Sequence, residues 1–288
     1  MYPMPHADPQ LAVSAIDLSI KFHQRRSTPV APAVSGATFE IRRGETLAVI
    51  GESGSGKSAL ASVLAGEGDL DVPASPRITG GAVTVLGTRL RRVRDGKRER
   101  LQARIGYVPQ GAGARLVPHL TAGESIGEPI FARNRRFNQR RAGMIVATLV
   151  DAVRLPMGTM NKFPYELSAG QRQRIAIARA LVLEPELLIA DDPTSGVDVT
   201  ARPAIIDIIH ELQNDLEFSA FVVTSNLHEV QNLSENVMVM YHGMVVANGN
   251  LDQVLADPHH PYVATLARTR DLGRDVLADD REESRVDV

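Results

Sequence analysis

Two stretches of the sequence combine residue types that could do chemistry on a phosphate. The first is GESGSGKS, Gly51 to Ser58. It fits the spacing G-x-x-x-x-G-K-S, in which small residues let successive backbone N–H groups turn inward around phosphate oxygens. Gly51, Ser53, Gly54, Ser55 and Gly56 would form that cradle, with Ala59 just beyond it. Lys57 can reach the outer phosphates, and Ser58 Oγ can ligate a magnesium ion carried with a nucleotide. The second stretch is LLIADDPTSGVD, Leu187 to Asp198. The apolar run Leu187, Leu188, Ile189, Ala190 reads as a buried strand ending in two adjacent acids. An acid in that position holds magnesium, commonly through water, and Asp191 takes this part. Asp192 points the other way or lies on the turn, where it could orient an attacking water toward the terminal phosphate. A nucleotide site follows, but the loop alone does not choose between ATPase, GTPase and kinase.

These groups need a frame. Thr46–Ile50 reads as a core strand leading into the glycine-rich loop, and a helix runs from about Lys57 to Ala65, so the helix N-terminus adds its positive field at the cradle. LAVSAIDLSIKF alternates imperfectly and reads as a strand or a strand pair. ATFEIRR, GGAVTVLG, IGYVPQ and SAFVVTSN read as further strands. NVMVMYHGMVVANG reads as a hairpin around His242-Gly243. YELSAGQRQRIAIARALVLEP is a polar turn followed by a helix with an apolar face, and ARPAIIDIIHELQNDL is another helix. Strands alternating with helices argue for an α/β fold. The antiparallel-looking pieces near both ends suggest a second, smaller sheet. Residues 1–10 read as a disordered lead and 269–288 as a charged, flexible tail.

Bulk properties narrow the function. The chain has 288 residues, 43% of them apolar, which is ample for a core. It has no cysteine, so disulfides, cysteine-held zinc and iron–sulfur centres are excluded. The net charge of -2 gives no general attraction to nucleic acid. No apolar run approaches the roughly 18 residues of a membrane span, so a membrane role would come through a partner. Residues 89–104 hold eight basic residues against two acids. Without interleaved aromatics they read as a solvated face rather than a nucleic-acid surface. No pair of histidines has metal-ligand spacing on a helix, and His259-His260 reads as a loop feature.

One further motif makes a family visible. Leu167-Ser168-Ala169-Gly170-Gln171 resembles the LSGGQ signature of ABC proteins. Together with GESGSGKS, the glutamine of YVPQ (Gln110) and DDPTSGVD, residues 11–265 resemble the ATP-binding subunit of an ABC transporter. GESGSGKS, LVPHLTAGESIGEPI, YELSAGQRQR and DPHHPYVATL resemble the oligopeptide, dipeptide and nickel importer branch.

The resemblance implies a RecA-like P-loop ATPase core, an antiparallel β subdomain and a helical, signature-bearing subdomain over roughly 111–175, all within a domain of residues 11–268. It implies ATP and Mg2+ as cofactors. It also implies that two such subunits pack head to tail, each ATP lying between one P-loop and the other subunit's signature. Ser168, Gly170 and Gln171 would then meet the partner's nucleotide. Phe22 would lie against adenine, Gln110 would touch magnesium or water, and Asp198 would communicate across the pair. The implied partners are two transmembrane permease subunits and, indirectly, an extracytoplasmic solute-binding protein; nucleic acid is not among them. The implied location is the cytoplasmic face of the membrane. Two other classes stay open: a non-hydrolysing regulatory cassette, and a soluble ABC ATPase acting on nucleic acid or ribosomes.

The sequence departs from the family pattern at two catalytic positions. Most active members have Glu where this chain has Asp192, a stem shorter by one C–C bond, about 1.5 Å. After the next strand the family has a histidine in a Thr-His-Asp-like run. Here the run is Thr224-Ser225-Asn226, and Ser225 fills the histidine slot. A serine is shorter and cannot carry an imidazolium charge. His228, three residues on, reads as a surface histidine. These departures suggest slow hydrolysis at the chain's own P-loop, with its signature completing an active site on a non-identical partner.

Overall fold

The computed structural model describes residues 8–22, 31–68 and 75–270. The first strand, β1 (Leu11–Phe22), is the centre of an antiparallel sheet. β2 (Val34–Arg42) pairs with it on one side and β4 (Pro76–Val85) on the other, and β4 carries the short β5 (Thr88–Arg89) at its far edge. Between β2 and β4 the chain passes through β3 (Thr46–Gly51) and α1 (Lys57–Leu64). After β5 come α2 (Asp95–Gln102), β6 (Ile105–Val108), α3 (Ala122–Arg133), α4 (Gln139–Ala152), α5 (Ala169–Leu181) and β7 (Leu187–Asp191). The chain continues with α6 (Arg202–Leu216), β8 (Ser219–Thr224), α7 (Leu227–Leu233), β9 (Asn236–Tyr241), β10 (Met244–Asn250) and α8 (Leu251–Ala256).

The main sheet has the order β10-β9-β3-β8-β7-β6. β6, β7, β8, β3 and β9 run parallel, and β10 closes the edge antiparallel to β9. Strands of a parallel sheet are buried on both faces and read as continuous apolar runs, which is why TLAVIG, LLIAD and SAFVVT show little polar alternation. Their side chains divide by the two-residue period of a strand. Leu187, Ile189, Phe221 and Val223 face the small sheet and α1, in a core with Leu18, Ile20 and Phe39. Leu188, Ala190, Ala220 and Val222 face the opposite core with α5 and α6. The helices of residues 111–175 extend that second core: Ile126 of α3 and Val146 of α4 pack with Ile175 of α5.

Two sequence expectations change. The hairpin around His242-Gly243 forms, with Met244 opposite Tyr241, but it belongs to the main sheet and not to a second one. Only the N-terminal strands build the smaller sheet. The basic stretch, expected as a solvated face, contains α2; Arg98 is buried and donates to the Gly68 carbonyl at 3.1 Å. Residues 111–160, within the stretch that the resemblance makes helical, hold two capped helices. Thr121 and Glu124 form a reciprocal capping box on α3, and Asn138 caps α4. Residues 1–7 of the expected lead and 271–288 of the expected tail lie outside the described residues. Thr269 and Arg270 are helical, and Arg270 pairs with Asp252 at 2.7 Å.

Candidate nucleotide site

The phosphate loop leaves the central strand β3 and turns into α1. Gly56 caps the helix with φ 98°, and a Cβ there would lie 2.1 Å from the Ala33 carbonyl oxygen. Only glycine satisfies both demands. The loop is tied to its surroundings at two further points. Gly243 N–H donates to the Ser55 carbonyl at 3.2 Å, and Ser35 N–H donates to the Gly243 carbonyl at 2.7 Å. The loop, the hairpin turn and the start of β2 are thus joined in series.

Lys57 is folded over the loop. Its Nζ donates to the Gly51 and Glu52 carbonyls, both at 2.6 Å, and to Ser55 Oγ at 3.1 Å. Burial lowers its pKa, with Asp191 and Asp192 opposing that shift. Ser58 Oγ donates to Asp191 Oδ1 at 3.0 Å. The two residues assigned to magnesium from the sequence, 133 positions apart, are therefore in contact. Asp191 is 4% exposed. Burial raises its pKa, the Ser58 hydrogen bond opposes the rise, and Asp192 adds to it. A hydroxyl and a buried carboxylate converging beside a lysine are the oxygen donors that a hard divalent cation takes, so the residues fit magnesium.

Asp192 lies on the turn after β7, with φ 52°. Its N–H donates to the Val223 carbonyl of β8 at 3.0 Å. Burial raises the carboxyl's pKa, against the pull of Arg202 and Lys57, and the side chains of Thr194 and Gln110 lie beside it. Ser225 is exposed at the end of β8.

One cavity of about 340 Å³ gathers most of the expected residues. Gly51, Ser53, Gly54, Gly56, Lys57, Ser58 and Ala59 form its floor, and Gln110, Asp191, Asp192 and Ser225 form its far wall. Phe22, the last residue of β1 and 44% exposed, stands at its side with Ala33. Ser55 is buried beneath and braces Lys57. An exposed aromatic opposite a phosphate cradle can accept the flat face of a base.

Four expected residues lie elsewhere. Ser168, Gly170, Gln171 and Asp198 do not line this cavity. Ser168 caps α5: its Oγ accepts from the Gln171 N–H at 3.2 Å, and Gln171 Oε1 accepts from the Ser168 N–H at 3.0 Å. Gly170 faces Val197 and Ala201, on either side of the exposed Asp198. The start of α5 and the 197–201 turn thus form one surface, apart from the phosphate loop of the same chain. His228 is exposed on α7, its N–H bound to Asn226 Oδ1 at 3.0 Å.

The sequence reading missed Thr194, Thr224 and Glu229. Glu229 is buried in α7 and accepts hydrogen bonds from both threonines. A lone Glu in NLHEV gives no sign that it faces inward.

A parallel sheet with a glycine-rich loop, a lysine, a serine and a strand-end acid at one cavity defines a P-loop nucleotide-binding cassette. The ABC transporter family pattern matches residues 34–195, and the chain belongs to that family. It is 35% identical to the oligopeptide transport ATP-binding protein OppF of Escherichia coli, over 81% of this chain and 68% of that protein. It is 34% identical to OppD of Bacillus subtilis, also an oligopeptide transport ATP-binding protein, over 80% of this chain and 64% of that one. The dimeric structure of MJ0796, a bacterial ABC transporter cassette, superposes with a TM-score of 0.73 over 83% of this chain and 98% of that one, at 24% identity, a likeness of fold.

Proposed function

We propose that this chain is the ATP-hydrolysing motor subunit of a membrane importer for peptides. Relatives named as oligopeptide transport ATP-binding proteins support the substrate class. The observation that carries the mechanism is the split of the expected residues. The P-loop, Asp191, Asp192, Gln110 and Phe22 share a cavity, while the signature residues lie outside it, with Ser168 exposed, Gln171 half-buried and Gly170 buried against Val197 and Ala201. A single chain then holds each half of two different sites. Two chains packed head to tail complete both.

In that arrangement the loop's N–H groups and Lys57 hold the nucleotide's phosphates, and Phe22 carries its base. Lys57 must exchange its hydrogen bonds to the Gly51 and Glu52 carbonyls for phosphate oxygens. Ser58 and Asp191, with Gln110 lining the same cavity, would hold magnesium, which would neutralise phosphate charge. Asp192 orients water in line with the γ-phosphate. Ser168 and the N–H groups near Gly170 approach the partner's nucleotide at a helix N-terminus.

Among the described residues no helix is long and apolar enough to cross a membrane. The likeness to oligopeptide transport ATP-binding proteins supports a place at the cytoplasmic face, where two permease subunits would hold the chain and with a solute-binding protein select the solute. Asp192 and Ser225 make its own site the slower one, and its signature serves a non-identical partner. The test is reconstitution of the assembled pair with the permeases, followed by removal of the partner's catalytic glutamate alone. The asymmetric reading expects turnover to collapse. Turnover that stays near normal rules it out.

A further inference from the structure

One buried acid beside the site has no part in the arrangement above. Glu229, in the first turn of α7, is 5% exposed. Each of its oxygens accepts from a buried threonine. Thr194 Oγ1 donates to Oε1 at 2.9 Å, and Thr224 Oγ1 donates to Oε2 at 2.5 Å. Thr194 follows Asp192 by two residues, and Thr224 immediately precedes Ser225. Among the described residues no ion pair involves Glu229.

A carboxyl group is costly to bury unless its oxygens are hydrogen-bonded. Leu227, Val230 and Leu233 fill the other buried positions of this short helix, and a fourth apolar residue would avoid that demand. What the acid adds is a side-chain tie between the turn after β7 and the end of β8. The tie closes a ring. Asp192 N–H donates to the Val223 carbonyl, Val223 leads to Thr224, Thr224 bonds Glu229, Glu229 bonds Thr194, and Thr194 leads back to Asp192. Asn226 N–H donates to Thr224 Oγ1 at 3.0 Å and fixes that hydroxyl from the other side. The ring holds the turn that bears Asp192 against the strand end that bears Ser225, at the far wall of the cavity.

We propose that Glu229 is a positioning residue for hydrolysis: it clamps Thr194 to Thr224 and so fixes the spacing of Asp192 and Ser225 behind the terminal phosphate. This rests on the reading that Asp192 orients the attacking water. Both residues depart from the family pattern, so the placement of the remaining short side chains depends more heavily on the frame behind them.

The test uses the full chain in its assembled complex, with the partner's catalytic glutamate removed so that turnover reports this chain's site. Glu229→Gln keeps length and volume but replaces one acceptor oxygen with an amide donor. We expect kcat to fall roughly tenfold, in line with the sensitivity of such reactions to displacements of a fraction of an ångström. KM for Mg-ATP should stay within about twofold, since the P-loop is untouched. Amide exchange should rise together over residues 192–197 and 224–230, and not over 51–58. Glu229→Asp, too short to reach both hydroxyls, should behave the same way.

An unchanged kcat overturns the proposal. So does a rise in KM and in P-loop exchange equal to the other changes, which marks a merely structural role. Asp192→Asn separates the two readings. If it leaves turnover unaltered, the water-orienting reading has failed, and the hydrolytic role of Glu229 falls with it. If Asp192→Asn lowers turnover while Glu229→Gln is silent in both rate and exchange, only the clamp is wrong.

Discussion

The substitution Asp192→Glu puts the catalytic argument at risk most directly. It restores one C–C bond, about 1.5 Å, to the side chain proposed to orient water at the terminal phosphate. Misplacement of a positioning group by about 1 Å costs about 100-fold in rate. The backbone on either side is fixed, by the Asp192 N–H to Val223 bond and by the Ser195 N–H to Asp192 carbonyl bond, both at 3.0 Å, so the present residue has little means of closing the gap. The longer side chain should therefore raise turnover at this chain's own site by one to two orders of magnitude, on the order of 10- to 100-fold. A cost accompanies it. The φ of 52° puts this residue in the left-handed region, which Asp tolerates better than Glu. A loss of roughly 0.5–1 kcal/mol follows, about 1–4 °C in melting temperature for a domain of this size. The assay is single-turnover hydrolysis in the assembled complex with the partner's catalytic glutamate removed, beside a thermal melt. Turnover that stays level or falls, with Mg-ATP affinity preserved, would refute the account of Asp192 as a carboxylate set too far back.

Three further substitutions test other parts of the structure. Gly56→Ala forces a Cβ to within 2.1 Å of the Ala33 carbonyl oxygen at φ 98°; it should destabilise the fold by at least about 2 kcal/mol and abolish nucleotide binding, measured by denaturant melts and Mg-ATP titration. At Gly170 the corresponding Cβ would make only ordinary contacts, 3.6 Å to Val197 and 3.7 Å to Ala201. Gly170→Ala should thus fold and bind ATP at its own loop normally, yet slow the partner's site about tenfold or more in the assembled pair. Glu186, hydrogen-bonded by Arg104 at 2.8 Å and Arg43 at 2.7 Å, has its pKa drawn down from 4.5 to about 2, chiefly by Arg104. A depressed carboxylate stabilises the fold above its unfolded pKa, and that stability is lost as pH falls from about 4.5 toward 2. The side chain is 39% exposed, so screening reduces the effect to about 1 kcal/mol. Glu186→Gln should remove it and flatten the acid limb of the stability–pH curve.

The phosphate loop and the acidic strand end were legible because each is a local pattern with a fixed chemical purpose. Ser58 and Asp191 meet because the turn after β3 and the end of β7, a parallel strand one place removed across β8, lie at the same end of the sheet; the α/β alternation already implied parallel strands. The C-terminal hairpin was visible as a hairpin, since turn chemistry is local, but its membership of the main sheet depends on β9 pairing with β3, a contact between residues nearly two hundred positions apart in the sequence. The helix α2 was hidden because DGKRERLQ has no apolar stripe; only Arg98 and Leu101 are buried. Glu229 was missed for the converse reason. Burial of an acid depends on which hydroxyls the fold brings to it, and Thr194 comes from a different part of the chain.

The chain of contacts from Ser55 through Gly243 to Ser35 has a consequence for what the cavity accepts. Phe22 lies in the small sheet and the phosphate cradle in the large one, yet both are referred to a common anchor at the hairpin turn. The span between the platform and the cradle therefore works as a fixed gauge, set before any nucleotide arrives. On the proposed reading of Phe22 as the base's platform, a ligand would be measured by its length from ring to last phosphate, and the turn at His242-Gly243, bonded to the cradle at Ser55, would set the measure.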